Sequence, residues 1–221
     1  MIQKSSGTSA EVAVEIGPGR LRLPGTLTLP PAASGLVLFA HGSGSSRTSP
    51  RNRYVAQLLH AAGIGTLLFD LLTPDEDHDY ATRFDIALLS ERLAGATRWA
   101  RSQPTPAMPI GYFGASTGAA AALVAAVEPD AGVRAVVSRG GRPDLAGAEV
   151  LTRVAAPTLL IVGGEDHGVI KLNREAYAHL DCEKALRIVP GATHLFEEPG
   201  TLETAATWAA EWFTRWLAAA R

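Results

Sequence analysis

The chain is poor in cysteine, in aromatic residues and in long apolar runs. Cys182 is the single cysteine among 221 residues, so neither an intrachain disulfide nor a zinc site built from cysteines can form. The longest apolar run, residues 119–127, is about half of the ~20 residues that a membrane-spanning helix needs. The N-terminal residues also lack the apolar segment of roughly 7–15 residues of a secretory signal. We therefore expect a soluble, cytoplasmic protein.

The charge balance excludes a further set of partners. Lysine and arginine number 20 against 22 acidic residues, which leaves a net charge of −2, so no overall field attracts nucleic acid or an anionic membrane. Hydrophobic residues make up 47% and charged residues 19% of the chain, which is typical of a folded protein. We expect a flexible N-terminus at residues 1–10 and a single domain at residues 11–221, acting on a small molecule as a monomer or a small homo-oligomer.

Apolar runs that predict buried strands alternate with amphipathic stretches that predict helices. Two strand-like runs, 11–16 and 21–29, are joined by Gly17-Pro18-Gly19, which is typical of a hairpin. Further strands are predicted at 36–40, 64–72, 109–114, 133–138, 158–162 and 185–189, and helices at 50–62, 83–101, 117–127, 172–180 and 202–220, with a weak helix at 143–153. This alternation predicts an α/β fold, a mostly parallel sheet covered by helices on both faces, with the hairpin as an antiparallel edge.

A candidate nucleophile follows the strand that ends near Phe113. The sequence Gly114-Ala115-Ser116-Thr117-Gly118 matches G-x-S-x-G and lies between a predicted strand and a predicted helix, where a nucleophile elbow occurs. Glycines allow the sharp turn that holds the serine in a strained conformation. The helix beginning at Thr117 directs its free amides toward the same place. The alternative is a glycine-rich packing turn with an incidental serine.

A serine hydroxyl needs a base, and two later strand ends supply one with an acid. Asp166 follows the next-to-last strand and His194 follows the last, so the chain order is that of an α/β-hydrolase triad. His167 is a rival for the base and Glu165 a rival for the acid. We favour His194 over His167 because adjacent residues on a tight turn usually point apart. We favour Asp166 over Glu165 because the spacing Asp166-x-x-Val169 resembles the acid loop of known hydrolases.

The loop after the strand at 36–40 reads His41-Gly42-Ser43-Gly44-Ser45-Ser46. It lacks the third glycine of a dinucleotide fingerprint and the Gly-Lys-Ser/Thr of a phosphate loop. We interpret it as an oxyanion loop, in which the amides of Ser43 and Thr117 stabilise the developing negative charge.

Other polar residues near strand ends are candidates for substrate binding. These are His41, Arg139 and Arg142, and either arginine could bind an anionic part of a substrate. The acidic run at residues 75–79 does not fit a calcium loop, because the required glycine and glutamate are absent. We interpret it as a solvated loop, and we expect no metal and no cofactor.

Four segments, residues 38–44, 111–118, 160–166 and 189–194, resemble the α/β-hydrolases, and more narrowly their dienelactone-hydrolase-like branch. The resemblance implies an eight-stranded sheet, a triad with serine or cysteine as nucleophile, and hydrolysis of carboxylic esters or lactones. The enzymes that name the branch use cysteine where this chain has Ser116, which favours a serine esterase. The longest gap between predicted strands, residues 138–158, is too short for a cap domain, so we expect an open pocket that favours small soluble esters. Acyl transfer or perhydrolysis at the same triad, and a non-catalytic binding module, are the alternatives.

Overall fold

Strands and helices alternate along the chain in the computed structural model, which describes residues 10–17, 21–103 and 108–218. The strands are β1 (Ala10–Ile16), β2 (Leu23–Leu29), β3 (Leu36–Ala40), β4 (Gly65–Phe69), β5 (Ile110–Ala115), β6 (Val133–Arg139), β7 (Thr158–Gly163) and β8 (Lys184–Val189). The helices are α1 (Pro50–Ala61), α2 (Pro74–His78), α3 (Ile86–Ser102), α4 (Thr117–Ala126), α5 (Ala148–Arg153), α6 (His167–His179) and α7 (Thr201–Leu217).

The strands form one eight-stranded sheet in the order β1-β2-β4-β3-β5-β6-β7-β8. β1 pairs antiparallel with β2, and β2 with β4, whereas the neighbours from β4 to β8 pair in parallel. The predicted α/β class with an antiparallel edge is therefore confirmed. The strand order reverses beside β3, so the carboxyl ends of β3 and β5 flank a crevice of the kind in which open α/β sheets bind ligands.

Two layers of helices bury the sheet. Every residue of β3, β4, β5 and β7 is buried, as expected for strands covered on both faces. Alternate side chains of β5 point to opposite faces, so Tyr112 packs with residues of α3 and α4, whereas Phe113 packs with residues of α1 and α7. The Tyr112 hydroxyl lies 2.6 Å from Thr97 Oγ1, which satisfies both buried oxygens.

The acidic run at residues 75–79 was expected to form a loop, but most of it forms the short helix α2. Thr73 accepts a hydrogen bond from the Glu76 amide while the Glu76 carboxylate accepts one from the Thr73 amide. This reciprocal pair satisfies two amides that a helix start leaves free. The local capping residues therefore decided a structure that the charge pattern alone did not indicate.

Helix boundaries differ from the predicted ones where capping groups intervene. α3 begins at Ile86 because the Asp85 side chain accepts from the Leu88 amide, and Arg83 lies in a preceding 3₁₀ turn. α6 begins at His167, five residues before the predicted start at 172.

Parts of three predicted segments lie outside the described residues. These are residues 1–9 of the proposed flexible N-terminus, Pro18 and Gly19 of the hairpin turn, and residues 219 and 220 of the last helix. Ala10, which was assigned to the flexible segment, already belongs to β1.

The connection from β6 to β7, where a cap domain would interrupt the sheet, is short. Residues 140–157 contain a 3₁₀ turn at Pro143–Ala146 and α5. This connection therefore adds no separate domain above the carboxyl edge of the sheet. None of the helices in the described ranges is long and apolar enough to cross a membrane.

Candidate active site

Ser116 occupies a strained turn between β5 and α4. Its φ of 50° and ψ of −122° lie in a region that L-residues rarely adopt. The turn is tight enough to require both flanking glycines: a Cβ on Gly114 would lie 2.4 Å from Ala119 Cα, and one on Gly118 would lie 2.1 Å from Ala40 O. This is the local geometry of a nucleophile elbow.

His194 and Asp166 are joined by a short hydrogen bond. His194 Nδ1 lies 2.6 Å from Asp166 Oδ2, and the carboxylate side chain is only 16% exposed. The two rivals contact each other instead, since His167 Nε2 lies 3.9 Å from Glu165 Oε2, with both side chains mostly exposed. The geometry thus separates a partly buried His–Asp pair from a solvated His–Glu pair.

The loop that carries His194 is fixed at several points. A Cβ on Gly163 would lie 2.6 Å from Thr193 O, so the acid loop and the histidine loop pack main chain against main chain. The amide and hydroxyl of Thr193 both donate to the Glu198 carboxylate, at 3.0 and 2.6 Å, and these bonds lower the pKa of Glu198. Phe196 is buried with a φ of 57° and anchors the loop in the core.

The turn after β6 contacts both Ser116 and His194. The Ser116 amide donates to Arg139 O at 3.4 Å, and the Arg142 amide donates to Ser116 O at 3.0 Å. Between these two arginines, a Cβ on Gly140 would lie 3.7 Å from His194 Cε1. The structure records no hydrogen bond between the Ser116 hydroxyl and the His194 imidazole. The two residues therefore contact the same turn without being hydrogen-bonded to each other through their side chains.

The loop after β3 lies directly beside Ser116. A Cβ on Gly42 would be 2.9 Å from Ser116 Cβ. The next amide, that of Ser43, donates to Thr117 Oγ1 at 3.0 Å. Thr117 is the first residue of α4, so its own amide has no acceptor within the helix. Of the two amides expected to form an oxyanion hole, that of Ser43 is therefore already bonded to the Thr117 hydroxyl, a contact that the sequence pattern did not indicate.

His41 is buried and bonded to main chain through both ring nitrogens. Nε2 accepts from the Leu71 amide at 3.0 Å, so Nδ1 carries the hydrogen and donates to Gly42 O at 3.1 Å. Burial lowers the pKa of His41, which favours this neutral form. No ring nitrogen is left for a substrate, and the residue instead connects the oxyanion loop to the end of β4.

The two candidate arginines differ in their surroundings. Arg142 donates to both carboxylate oxygens of Asp144, at 2.9 and 2.7 Å, and this hydrogen bonding raises its pKa. Arg139 is buried, and its guanidinium lies 5.9 Å from the ring centre of Phe113 and 5.8 Å from that of Phe196. Arg142 is thus neutralised near the surface, whereas Arg139 is enclosed between aromatic rings.

Exposed apolar side chains occur in the loops at the carboxyl edge of the sheet. Among the described residues, the large exposed hydrophobic side chains are Tyr80, Phe84, Leu145, Leu195 and Val12. The first four follow the ends of β4, β6 and β8, whereas Val12 lies on β1. Exposed apolar surface beside a polar site is typical of ligand contact. The sequence offered no signal for it beyond the position after strand ends.

Two hollows lie away from the candidate site. One of about 390 Å³ is lined by residues such as Thr28 and His60, and another of about 640 Å³ lies between α1 and α7. Neither contains a residue of the candidate site. Within residues 10–17, 21–103 and 108–218, no three His, Cys, Asp or Glu side chains are grouped as metal ligands would be.

A mostly parallel eight-stranded sheet with a strained serine after β5 and a His–Asp pair after β8 and β7 defines an α/β-hydrolase. The solved structures agree: dienelactone hydrolase from Anabaena variabilis ATCC 29413 is 56% identical, with a TM-score of 0.90 over 95% of this chain and 99% of that chain. This chain belongs to the dienelactone hydrolase family. No family model matches the sequence.

More distant structures share the fold. Est1E from Butyrivibrio proteoclasticus is 15% identical with a TM-score of 0.80, over 93% of this chain and 99% of that one. The esterase domain of a Rhodothermus marinus protein is 21% identical with a TM-score of 0.75, over 96% of this chain and 100% of that one. At these identities the likeness concerns the fold alone.

Two curated relatives, from two strains of Mycobacterium tuberculosis, carry a different name. Each is 60% identical over 204 residues, which is 92% of this chain and 45% of the relative, and each is named "Putative phosphoribosyl transferase". The chain therefore spans about half the length of the curated relatives it matches.

Proposed function

We propose that this protein is a serine hydrolase that cleaves small carboxylic esters or lactones through an acyl-enzyme. In this proposal Ser116 is the nucleophile, His194 the general base and Asp166 the residue that orients the imidazole. The observation that carries it is the 2.6 Å bond between His194 Nδ1 and Asp166 Oδ2, which leaves Nε2 as the nitrogen free to accept a proton.

The chemistry would run in two steps. His194 Nε2 takes the Ser116 proton as Oγ attacks the ester carbonyl, and the protonated imidazole then gives that proton to the departing alcohol. In the second step His194 activates a water molecule, which releases the acid and restores the serine. In this proposal a side-chain movement brings the hydroxyl and the imidazole together, because active-site bonds of this kind often tighten only when substrate is present.

The oxyanion would be stabilised at the start of α4. The Thr117 amide is free of helical bonding and is one donor. The Ser43 amide donates to Thr117 Oγ1, so we propose that the Thr117 hydroxyl, polarised by that bond, supplies the second donor or holds the Ser43 amide in place. The proposed chemistry uses only side-chain and main-chain groups of the chain.

The substrate would be a small ester with an apolar part. The short β6–β7 connection adds no domain above the site, and Tyr80, Phe84, Leu145 and Leu195, exposed in the segments that follow β4, β6 and β8, would offer apolar contacts. An open rim can contact a short acyl or aryl group but cannot enclose a long chain.

The phosphoribosyl transferase name of the longer relatives need not conflict with this proposal. The match covers 45% of their length, and the matching part has the hydrolase fold. We propose that this part, residues 11–221 as one domain, supplies a hydrolase, and that the transferase name refers to the remainder of those proteins.

The test is covalent labelling together with hydrolysis of a short activated ester. A fluorophosphonate should label Ser116, as detected by peptide mass spectrometry, and Ser116→Ala should abolish both labelling and the burst of product. Ser102→Ala, on the exposed end of α3, is the matched control and should behave like the wild type. Equal hydrolysis by wild type and Ser116→Ala, with position 116 unlabelled in folded protein, would favour a non-catalytic binding module instead.

The same assay separates hydrolysis from acyl transfer. An added alcohol or hydrogen peroxide competes with water for an acyl-enzyme. If either acceptor takes most of the acyl group at millimolar concentration, the acyltransferase or perhydrolase alternative is favoured over the hydrolase.

A further inference from the structure

Arg139 is a buried cation that has no acidic partner among the described residues. The residue is 7% exposed, and its Nε and Nη1 atoms are fully enclosed with no hydrogen-bond acceptor. The rings of Phe113 and Phe196 lie near the guanidinium. The charged residue that acts on it is another cation, Arg51, whose effect adds to burial in lowering the pKa of Arg139 to about 10. At neutral pH the side chain therefore still carries its charge.

A buried charge of this kind requires compensation. Removing an unpaired ion from water is strongly unfavourable, and such ions in proteins are normally paired. The carboxylates around the site are already committed: Asp166 to His194, Asp144 to Arg142 and Glu197 to Arg51. Within the part of the chain that the structure describes, no carboxylate therefore pairs with Arg139.

The position of Arg139 ties the charge to the reaction centre. Its carbonyl oxygen accepts from the Ser116 amide, and the following residue, Gly140, contacts His194. The cation–π contacts with Phe113 and Phe196 partly stabilise the charge, but aromatic rings cannot accept in-plane hydrogen bonds from Nε and Nη1. A partner must therefore approach an edge of the guanidinium.

We propose that Arg139 binds a small monovalent anion at the floor of the site, beneath the loop that carries His194. Two sources share this chemistry: a free inorganic anion such as chloride, and a carboxylate of the substrate or product. Because Nε and Nη1 are already enclosed, a small anion is favoured over a larger one. The inference concerns binding alone and holds whether or not Ser116 acts as the nucleophile; only the carboxylate source rests on the proposed function.

The direct test is a crystal of the wild-type protein soaked in bromide. An anomalous peak within hydrogen-bond reach of Arg139 Nε or Nη1 is the expected result, and ordered water alone at both atoms overturns a free-anion site. This experiment needs no variant, so it does not depend on how a substitution affects folding.

The second test measures thermal stability as chloride or acetate replaces a bulky anion at constant ionic strength. An anion at ten times its Kd should raise the Tm of the wild type by about 3–6 °C. Arg139→Met should not respond, Arg139→Lys should respond weakly, and Arg174→Met, an exposed arginine on α6, should respond like the wild type. An equal response in the wild type and Arg139→Met overturns a free-anion site.

The third test compares a neutral ester with its carboxylate-bearing counterpart. If the substrate supplies the anion, the wild type should favour the carboxylate ester at least tenfold in kcat/KM, and Arg139→Met should lose that preference while still being labelled by the fluorophosphonate. A bromide peak with no substrate preference assigns the site to a free anion. Absence of the bromide peak, the Tm response and the preference together overturns the proposal, whereas loss of labelling would count against the proposed function instead.

Discussion

Replacing Asp166 by Asn is the most direct test of the His–Asp pair. The 2.6 Å bond joins His194 Nδ1 to a carboxylate oxygen that is largely shielded from water, so in the proposed mechanism the carboxylate fixes the tautomer of the imidazole. An amide can present an N–H to Nδ1, which would turn the imidazole to the wrong tautomer and remove the negative charge. In serine hydrolases this substitution costs about 10⁴ in kcat.

The exposure of His194 reduces the loss in kcat that we expect for Asp166→Asn. Its side chain is 39% exposed, so water can replace part of the lost stabilisation, and we expect a loss of about 10³–10⁴ in kcat. This corresponds to roughly 4–5.5 kcal/mol of transition-state stabilisation. The measurement is steady-state hydrolysis of a short p-nitrophenyl ester. We expect KM to change little, because in the proposed mechanism the carboxylate acts on the base and not on the bound ester.

The matched control for Asp166→Asn is a substitution of the neighbouring residue in the chain. Glu165 has a mostly exposed side chain whose histidine contact is 3.9 Å, and Glu165→Gln should alter kcat by less than about threefold because such pairs contribute little. A kcat for Asp166→Asn within tenfold of the wild type, at unchanged Tm, would show that the reasoning about this pair is wrong. An equal loss in Glu165→Gln would move the role of the acid to that residue.

Three further predictions concern residues around the serine. Thr117→Val should lower kcat about 10–100-fold, whereas Thr117→Ser should keep it, because only serine retains the hydroxyl that accepts from the Ser43 amide. Unchanged ester kinetics in the valine variant would exclude a role of this hydroxyl in stabilising the oxyanion. Gly118→Ala should lower the free energy of unfolding, measured in urea, by more than about 3 kcal/mol, because its Cβ would lie 2.1 Å from a carbonyl oxygen. Gly95→Ala, on an open helix surface, should instead raise it by up to about 1 kcal/mol. Burial lowers the pKa of His41, so the unfolded chain takes up a proton that the folded one refuses and stability falls as pH drops below about 6.5; His41→Gln should show a shallower fall between pH 7 and 5, and an unchanged slope would contradict this.

The architecture could be predicted because its strands are read directly from the apolar pattern. A fully buried parallel strand needs an unbroken apolar run, and β3, β5 and β7 each have one. Because parallel strands place their carboxyl ends on one edge, the residues after them were candidates for a common site. The structure brings His194 and Asp166, from two such loops, into contact.

Details that depend on individual side chains could not be predicted in the same way. The Thr73–Glu76 capping box turned an acidic run into α2, and the bond from the Ser43 amide to Thr117 joins loops 74 residues apart in the chain. Neither depends on hydropathy. Long-range hydrogen bonds of this kind follow from the exact approach of two loops, which a strand-and-helix pattern does not determine.

Arg139 lies between these two cases. Side chains alternate across a strand, and Ala135 and Val137 of β6 both pack into the layer formed with α1 and α7, so Arg139, two residues further on, must point into that same apolar layer. Strand parity alone therefore implies a buried arginine once the end of β6 is placed at residue 139 instead of 138. What parity cannot supply is the identity of its partner, because that depends on whether a carboxylate from another element reaches the same layer. Among the described residues the nearby carboxylates are bonded elsewhere, which is why we propose that the compensating charge is a bound anion.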